Sequence, residues 1–415
     1  MENKNIHTER SRNIPQLRFP GFEGEWVFII LGDLKVSMCK RILKEQTSFE
    51  GEIPFYKIGT FGKQADSFIS KNLYEDYKNK YSFPKKGDIL ISAAGTIGRT
   101  VIYDGCPAYF QDSNIVWISN NENLVSNHFL SFCYKNIKWN TENTTIARLY
   151  NNNLKSIKIV VPETNSEQTR IAAFLTAVDK RVNLLQKKKA ELELYKKGVM
   201  QKLFSSPLLG GDAAGRGGIR FKNDDGNNFP DWEDKKLGEV CEIIGGGTPS
   251  TTIQEYWNGE FNWFTPTEIK NKYIQGSQRK ISVLGLKKSS AKLLPKNTLL
   301  FTSRATIGDV GIAQIECTTN QGFQSFLPNE SYETEYLYYW LILNKKKFLR
   351  KSSGSTFIEI SKGEISKIQI IIPCLKEQQK IASFLSSIDQ SIKKIGNQID
   401  ASREWKKGLL QKMFC

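Results

Sequence analysis

The sequence has few of the residues that build metal sites and disulfide frameworks. Its only histidines are His7 and His128, and none of its seven cysteines forms a C-x-x-C pair. Structural zinc needs closely spaced cysteine and histidine ligands, and a disulfide framework usually uses an even number of cysteines. The composition therefore predicts reduced, unpaired thiols and no metal site in this chain.

Long apolar runs are also absent. No stretch reaches the roughly twenty apolar residues that a membrane-spanning helix needs. The first residues, Met1 to Asn13, are polar and do not resemble a secretory signal. We therefore expect a soluble, cytoplasmic protein without a membrane partner.

Motifs for nucleotide and methyl-transfer chemistry are missing as well. An adenine methyltransferase holds its flipped base with a clamp of the Asn/Asp-Pro-Pro-Tyr/Phe type, and the sequence has none. Gly62-Lys63 lacks the upstream glycine and the Ser/Thr of a phosphate-binding loop. Gly245-Gly246-Gly247 is followed by a proline where a cofactor loop would open a helix, so we interpret it as a glycine turn. No cofactor is expected on this chain.

What the sequence does contain is a long internal repeat. The stretch from Glu167 to Phe204 returns 210 residues later, from Glu377 to Phe414, without a gap. Shared positions include Glu-Gln at the start, Ile-Ala and Phe-Leu in the next turns, an Asp, and Lys-Lys-Gly with Gln-Lys-x-Phe at the end. This agreement indicates that the chain is two copies of one unit.

Both copies of the repeated stretch have apolar residues at steps of three and four, which place them on one side of a helix. Each helix would be on the order of 55 Å long and would need a partner along its length, for which the other copy is the obvious candidate. Thr164 and Glu167 have the spacing of a capping box at the first helix start. The apolar positions are Ile171, Phe174, Val178, Val182, Leu185, Leu192, Tyr195, Val199 and Leu203 in the first copy, and Ile381, Leu385, Ile388, Ile392, Ile395, Ile399, Trp405, Leu409 and Met413 in the second.

The residues before each long helix belong to the repeat too. Short β-branched and aromatic runs broken by Gly, Asn and Ser predict short strands and loops. In both copies an apolar run leads to a Thr-Ile-Gly step, at 96–98 and 306–308, which predicts a strand, a tight turn and a second strand. That step fits plain turn chemistry and base contact about equally well. Helices are predicted at 127–139 and 335–348, and strands at 157–161 and 368–372.

We therefore predict a mixed α+β (α/β) fold in which two similar domains are joined by two long antiparallel coiled-coil helices in a pseudo-two-fold repeat. The glycine-rich segment between the halves is absent from the repeat, and is a flexible linker or an insertion. The predicted division is a first domain at 1–163, a first long helix at 164–205, a linker at 206–220, a second domain at 221–374 and a second long helix at 375–415.

The charge of the chain points to its partner. The sequence has 59 Lys and Arg against 43 Asp and Glu, a formal net charge of +16. Such an excess favours a polyanionic partner, either nucleic acid or an acidic membrane surface. Outside the shared frame the loops of the two domains differ widely, which is the pattern of two readers of different ligands.

At this point the chain resembles a known family. A variable domain, then a helix with Glu-Gln-x-x-Ile-Ala-x-Phe-Leu and a terminal Lys-Lys-Gly-x-x-Gln-Lys-x-Phe, then the same again, is similar to the DNA specificity subunit of Type I restriction-modification enzymes. The pieces Gly247-Thr248-Pro249, Arg304-Ala305-Thr306-Ile307-Gly308 and Asn320-Gln321-Gly322-Phe323 are also typical of its recognition domains. The resemblance covers nearly the whole chain.

The resemblance implies a protein without catalysis of its own. Two target recognition domains would each read one half of a split sequence in double-stranded DNA, and the helices would fix the unread gap. Two modification subunits would bring S-adenosylmethionine and methylate adenine, and two restriction subunits would use ATP and Mg. Two other functions stay open: a DNA-binding regulator that needs no methyltransferase, and a self-contained nuclease or methyltransferase, which the missing motifs disfavour.

The resemblance and the loop chemistry together suggest which residues bind DNA. Polar and planar side chains in the variable loops are the candidates for base readout, although each could instead contact phosphate or only solvent. The candidates are Lys57, Thr60, Lys63, Thr96, Arg99, Arg148 and Tyr150 in the first domain, and Thr265, Lys270, Arg304, Thr306, Ser355 and Thr356 in the second.

The repeated helix ends suggest a second binding surface. Because these residues recur while the domains between them differ, we expect them to face something that both halves share, and we assign them to the modification subunits. Helix packing and favourable interaction of lysines with the helix dipole are the alternative. The residues are Lys196, Lys197, Gln201 and Lys202, and their copies Lys406, Lys407, Gln411 and Lys412.

Overall fold

A computed structural model of the 415-residue chain describes residues 13–31, 35–137, 139, 157–205, 219–353 and 358–414. The chain divides into two compact units. Unit 1 comprises Met1–Leu185 and Gln398–Cys415, and unit 2 comprises Gln186–Asn397. The division runs through both long helices, so each unit contains the first part of one long helix and the last part of the other.

Short strands and helices precede the first long helix. The strands are β1 (Val27–Ile30), β2 (Lys35–Met38), β3 (Ile53–Tyr56), β4 (Phe68–Ile69), β5 (Ile89–Ser92), β6 (Thr100–Ile102), β7 (Tyr109–Phe110), β8 (Ile115–Ser119) and β9 (Lys158–Val161). The helices are α1 (Lys71–Lys80), α2 (Asn127–Asn136) and the first long helix, α3 (Asn165–Phe204).

The second half repeats this order with more elements. The strands are β10 (Glu233–Lys236), β11 (Ile243–Gly245), β12 (Trp257–Phe264), β13 (Tyr273–Ile274), β14 (Arg279–Ile281), β15 (Leu299–Phe301), β16 (Val310–Ala313), β17 (Cys317–Thr319), β18 (Gln324–Phe326) and β19 (Gln369–Ile372). The helices are α4 (Leu237–Val240), α5 (Val283–Lys287), α6 (Thr334–Leu343), α7 (Lys345–Lys351), α8 (Lys362–Ser366) and the second long helix, α9 (Leu375–Met413).

The two units build their sheets in the same way. Unit 1 has a sheet of order β2-β8-β5-β6, a sheet of order β4-β3-β7, and the antiparallel pair β1–β9. Unit 2 has a sheet of order β11-β18-β15-β16-β13, a sheet of order β14-β12-β17, and the antiparallel pair β10–β19. The three-stranded sheet of each unit contains a parallel pair, β3 with β7 and β12 with β17, and the five-stranded sheet of unit 2 contains another, β13 with β16. The repeat seen in the long helices therefore extends through the domains that precede them.

Several predicted elements are confirmed. The predicted strand, turn and second strand are β5 with β6 and β15 with β16, both antiparallel. The helix predicted at 127–139 ends at Asn136, and that predicted at 335–348 is divided into α6 and α7 at Asn344. Strand β10, which pairs with β19, was not predicted. Its sequence is EDKK and all four residues are exposed, so the apolar residues of this pair come from β19.

The predicted apolar stripes of the long helices are buried near the domains. In unit 1 the first turns of α3 and the last turns of α9 share one core, which includes the predicted Ile171, Val178, Leu409 and Met413. In unit 2 the last turns of α3 and the first turns of α9 share another, which includes the predicted Leu203, Ile381, Leu385 and Ile388. The stripe is not covered along its whole length, because Tyr195 and Trp405 remain about half exposed.

The Glu-Gln step that opens each long helix is a buried anchor. Glu167 and Glu377 are 1% and 0% exposed, and each binds an arginine from the segment before β1 or β10. Arg18 approaches Glu167 with Nε–Oε1 at 2.7 Å and Nη2–Oε2 at 2.8 Å. Arg220 holds Glu377 at 3.2 and 2.9 Å in the same two-pronged way. A buried carboxylate needs such a partner, so this pair fixes each helix start to its own domain.

This anchor changes the interpretation of the predicted capping box. The backbone N–H of Glu167 donates to Thr164 Oγ1 at 3.3 Å, as predicted. The Glu167 carboxylate is held by Arg18, which competes for the oxygens that a capping box would direct back to the cap. Only the threonine half of the predicted box is therefore seen. Gln168 completes the start by accepting from Ser126 N at 2.8 Å and donating to Pro162 O at 2.9 Å.

Candidate nucleic-acid interface

In unit 1 the candidate interface lies where the parallel strands β3 and β7 end. The carboxyl ends of parallel neighbours lie at the same edge, so the residues that follow them, Lys57 and Gln111, are brought together. Gln111 N donates to Tyr56 O at 3.0 Å, and Gln111 Oε1 accepts from Ile58 N at 2.9 Å. The amide therefore ties the two loops to each other.

Unit 2 places the loops after β12 and β17 in the same arrangement. Asn320 N donates to Phe264 O at 3.0 Å, which matches the bond made by Gln111 in unit 1. Asn320 Oδ1 accepts from Gly322 N at 2.8 Å and shapes the loop that follows. Thr265, the first residue after β12, is held by Glu268 Oε2 through both its N–H and its hydroxyl, each at 2.7 Å. The frame is repeated, while the side chains presented on it differ.

The loop between β5 and β6 and its copy between β15 and β16 have one shared geometry. Ser92 Oγ donates to Thr96 O at 2.6 Å, and Thr302 Oγ1 donates to Thr306 O at the same distance. Each turn passes twice through the left-handed region, at Gly95 and Gly98 in unit 1 and at Ala305 and Gly308 in unit 2. The Thr-Ile-Gly step thus carries the turn chemistry expected of it, and glycine is favoured where φ is positive.

In unit 1 a groove of about 630 Å³ opens beside the loops that follow β3 and β7. Its walls carry three cations and several groups that can donate or accept hydrogen bonds, which suits a phosphate backbone and base edges. Lys57 pairs with Asp66 at 2.9 Å, but both side chains stay largely exposed. The polar and charged lining consists of Arg41, Lys44, Thr47, Ser48, Lys57, Ser67, Gln111, Asp112, Ser113 and Asn114.

Unit 2 has a groove of about 640 Å³ at the corresponding loops. Arg304 forms one wall and pairs with Glu359, with Nη2–Oε2 at 2.7 Å. The backbones of Arg304 and Glu359 also form an antiparallel bridge, which holds the two side chains next to each other. The lining consists of Pro266, Arg304, Ala305, Asn320, Gln321, Gly322, Ile358 and Glu359.

The predicted DNA-binding residues of unit 1 fall into distinct settings. Lys57 lines the groove, and Lys63 and Thr96 are exposed on neighbouring loops. The Thr60 hydroxyl accepts from Lys57 N at 3.1 Å and supports that turn. Arg99 Nη1 donates to Phe61 O at 2.9 Å, so part of its guanidinium is used in a hydrogen bond within the domain. Arg148 and Tyr150 lie outside the described residues.

In unit 2 the structure also separates the predicted residues. Arg304 lines the groove, Thr265 directly precedes the groove residue Pro266, and Lys270 is exposed and lines a second cleft. The hydroxyl of Thr306 is buried and makes no hydrogen bond within the described part of the chain. Ser355 and Thr356 lie outside the described residues.

Sequence reasoning missed several groove residues. Arg41, Lys44, Asp112 and Asn114 in unit 1, and Glu359 in unit 2, were not among the candidates. A partial signal was available, because Phe110-Gln111 and Asn320-Gln321 occupy matching places in the repeat. The remaining residues come from loops that the two copies do not share.

Gly245-Gly246-Gly247 is not a turn. Gly245 ends strand β11, and a Cβ on Gly246 would overlap the backbone carbonyl oxygens of Thr319 and Asn320. The expected glycine turn is therefore replaced by a close approach of this segment to the loop that carries Asn320. Glycine is needed because no side chain fits between the two backbones.

The predicted partner-binding residues on the long helices divide into two groups. Lys196 Nζ lies 2.5 Å from Asp389 Oδ1 in unit 2, and Lys406 forms the equivalent ion pair with Asp179 in unit 1. These two lysines thus have contacts within the chain. The exposed members of the set are Lys197, Gln201, Lys202, Lys407, Gln411 and Lys412.

The described residues do not suggest a chemical centre. Burial raises the pKa of the Cys39, Cys241 and Cys317 thiols to about 12, which keeps them protonated and unreactive. No group of three or more His, Cys, Asp or Glu that could hold a metal occurs among the described residues. Among the same residues no helix has the length and apolar character to cross a membrane.

Comparison with known proteins gives consistent matches. The chain matches the family described as "Type I restriction modification DNA specificity domain" twice, over residues 23–194 and 230–401. It is 60% identical over 157 residues to a protein of Haemophilus influenzae described as a type I restriction enzyme specificity subunit, covering 37% of this chain and 40% of that one. It is 42% identical over 187 residues to the type I restriction enzyme MjaIX specificity subunit of Methanocaldococcus jannaschii, covering 43% of each. The matched parts thus span less than half of these two relatives.

The fold is also similar to a solved structure. The crystal structure of the S subunit of a type I restriction-modification system from M. genitalium matches with a TM-score of 0.59 and 16% identity. The match covers 97% of this chain and 99% of that one. At this identity the likeness concerns the fold alone, and it extends over nearly the whole chain.

Proposed function

Because the chain belongs to the family of Type I restriction-modification DNA specificity proteins, we propose that it is the specificity subunit of such a system. Each unit reads one half of a bipartite site in double-stranded DNA. The chain itself does no chemistry. It directs two modification subunits, which methylate adenine with S-adenosylmethionine, and two restriction subunits, which use ATP and Mg.

The observation that carries this proposal is the repeated loop frame with different side chains. Both units direct loops from the carboxyl ends of a parallel strand pair, and both have a groove of similar size beside them. Cations are abundant in one groove, whereas an Arg–Glu pair and amides dominate the other. A repeated frame with different reading groups supports two different half-sites.

The long helices support a fixed gap between the half-sites. Each is continuous over about 40 residues and belongs to both units. The buried Arg–Glu anchors tie each helix start to the domain before it. We propose that the helices set the length of the unread DNA, on the order of the 55 Å expected for such helices.

The surface of the long helices supports two equivalent protein partners. Tyr195 and Trp405 occupy the same position of the repeat and are 53% and 49% exposed. The exposed Lys197 and Lys407 lie two residues further along. Aromatic side chains are enriched at protein interfaces relative to the rest of the surface. We propose that one modification subunit binds near each of these surfaces.

The test is to co-express the chain with an adenine methyltransferase subunit of its own system and to map adenine methylation across the host genome. A split motif with one methylated adenine in each half, lost when this chain is omitted, is the expected result. Methylation that is unchanged without this chain would refute the specificity role. A matched strain that expresses only the methyltransferase subunit serves as the control.

A further inference from the structure

One aromatic side chain beside the unit 1 groove is almost entirely exposed. Phe49 is 92% exposed and lines this groove, and Leu43 on the same wall is 53% exposed. Single exposed apolar residues are common on protein surfaces and by themselves indicate nothing. Phe49 differs because most of the other residues that line this groove are polar or cationic.

The loop that carries Phe49 is firmly held on both sides. Ser48 exchanges backbone hydrogen bonds with Phe68, at 3.0 and 2.9 Å, and its hydroxyl donates to Glu50 O at 2.5 Å. A Cβ on Gly51 would come within 2.8 Å of Phe68 Cβ, so the loop is packed closely against β4. The position of Phe49 is therefore determined by the backbone, although its ring contacts little of the protein.

Cations line the same groove as the exposed ring. Arg41 and Lys44 are exposed on the same loop, and Lys57 lies across the groove. The Asp112 carboxylate also lines this groove and can accept a hydrogen bond from a cytosine amino group. An aromatic ring between cations and polar groups fits a nucleic acid, in which flat apolar base surfaces lie between charged phosphates.

We propose that Phe49 makes an apolar contact to a base pair of the first half-site, with Arg41 and Lys44 on the flanking phosphates. This inference rests on the proposed function and goes further, because it names the side chain that supplies non-polar selectivity in unit 1. Two contacts are chemically available to the ring: the methyl group of a thymine in the major groove, or the face of a base at an opened step.

Unit 2 offers an independent parallel. Ile358 is 58% exposed and lines the groove that contains Arg304. Each unit thus has at least one exposed apolar side chain beside a groove that contains a cation. An aromatic ring and a branched aliphatic chain contact bases differently, as expected if the two half-sites differ.

The experiment compares Phe49→Ala, Phe49→Glu and the parent, each as the full chain in complex with its methyltransferase partner. The probes are duplexes with the bipartite motif found by methylation mapping, and the same duplexes with only the first or only the second half scrambled. We expect Phe49→Ala to bind the intact motif about 5- to 150-fold more weakly, the range for loss of one stacking contact. Phe49→Glu should bind more weakly still, because it adds a negative charge beside phosphates.

Loss of affinity should be confined to the first half-site. With the first half scrambled, Phe49→Ala and the parent should bind equally, whereas with the second half scrambled the difference should persist. Uracil in place of each thymine of the first half tests the methyl contact. 2-Aminopurine fluorescence at each step of that half tests for an opened stack.

The matched control is Leu124→Ala, which removes another exposed apolar side chain of unit 1, 62% exposed and outside the lining of the groove. It should bind DNA like the parent. Equal affinity of Phe49→Ala and the parent for the intact motif would overturn the inference, as would loss of the methyltransferase subunit with intact DNA binding, which would place Phe49 at a protein interface. A parent complex that reads no split motif would instead refute the proposed function itself, and the inference with it.

Discussion

Lys196 Nζ lies 2.5 Å from Asp389 Oδ1, and the equivalent residues of the repeat, Lys406 and Asp179, pair in the reverse direction. A lysine near the end of each long helix thus binds the aspartate near the start of the other. This reciprocal pattern is the one that self-complementary surfaces produce. These ion pairs distinguish Lys196 and Lys406 from the adjacent Lys197 and Lys407, which are exposed.

The first prediction concerns the surface that we propose for the modification subunits. Lys197→Glu with Lys407→Glu should release the methyltransferase subunits while leaving the thermal unfolding of the chain unchanged, because both lysines are exposed. Size-exclusion chromatography of the co-expressed complex measures the release. Lys196→Glu with Lys406→Glu should instead destabilise the chain itself, because each introduced carboxylate would lie next to an aspartate. An intact complex after reversal at 197 and 407 would refute the docking surface.

The second prediction concerns the buried anchor of unit 2. Arg220→Met leaves the Glu377 carboxylate without its arginine, although Trp232 Nε1 still donates to it at 3.0 Å. We expect the free energy of unfolding to fall by about 3 kcal/mol, as for other broken buried pairs. Urea denaturation followed by tryptophan fluorescence measures it. Arg403→Met breaks an exposed pair with Asp400 at 3.9 Å and should change stability by less than about 0.5 kcal/mol.

A third prediction addresses DNA reading by unit 2. Arg304→Ala should weaken binding to the second half-site by about 1 to 3 kcal/mol if the guanidinium contacts a base in bidentate fashion. Glu359→Gln removes the carboxylate that pairs with Arg304. This variant should bind DNA more strongly, because the guanidinium no longer has to give up an ion pair in order to contact DNA. Fluorescence anisotropy with duplexes altered in one half-site separates the two units. If neither variant changes affinity for the second half, Arg304 is not a reading residue.

A fourth prediction concerns pH. Burial raises the pKa of the Glu335 carboxyl, but hydrogen bonds from Ser386 and Tyr273 and the nearby Lys272 outweigh it, so the pKa lies below its ordinary value. A lowered carboxyl pKa stabilises the fold above the unfolded pKa of about 4.3, and this contribution disappears as the pH falls through the folded value. Between about pH 5 and pH 3, Glu335→Gln should therefore lose less stability than the parent.

Denaturation midpoints across that pH range provide the measurement for Glu335. Glu330→Gln, at an exposed position close by, is the control and should follow the parent curve. Parallel curves for Glu335→Gln and the parent would contradict the linkage.

The fifth prediction concerns the close approach at Gly246. An alanine there would push against the carbonyl oxygens of Thr319 and Asn320 and should lower stability by about 1 to 3 kcal/mol, the cost of overpacking. Because Asn320 shapes the unit 2 groove, affinity for the second half-site should fall as well. Gly276→Ala is the control, since nothing lies within 4 Å of its Cβ and its φ is not positive. Equal thermal stability of the two variants would show that the segment can move aside.

The repeat explains why so much could be predicted. Ile171 and Ile381, or Thr96 and Thr306, recur at one offset because the same backbone is built twice, and helix periodicity and turn chemistry are local properties of the chain. The Glu-Gln step was recognised as a repeated motif, but its role as a buried anchor depends on Arg18 and Arg220, which lie some 150 residues away. Strand β10 was missed because its four residues are charged and gain their place only from β19.

The sequence by itself determined that the chain is doubled, that each half ends in a long helix, and that its excess of positive charge suits a polyanion, since periodicity, repetition and net charge are read along the chain. Only the tertiary structure decided which lysines form ion pairs, which glycine packs against backbone carbonyl oxygens, and which loop residues line the same groove. Lys44 and Gln111 line one groove, and Arg304 pairs with Glu359, although the members of each pair lie more than 50 residues apart in the sequence. Which distant residues become neighbours depends on how non-local strands pair, and local sequence patterns do not predict that pairing.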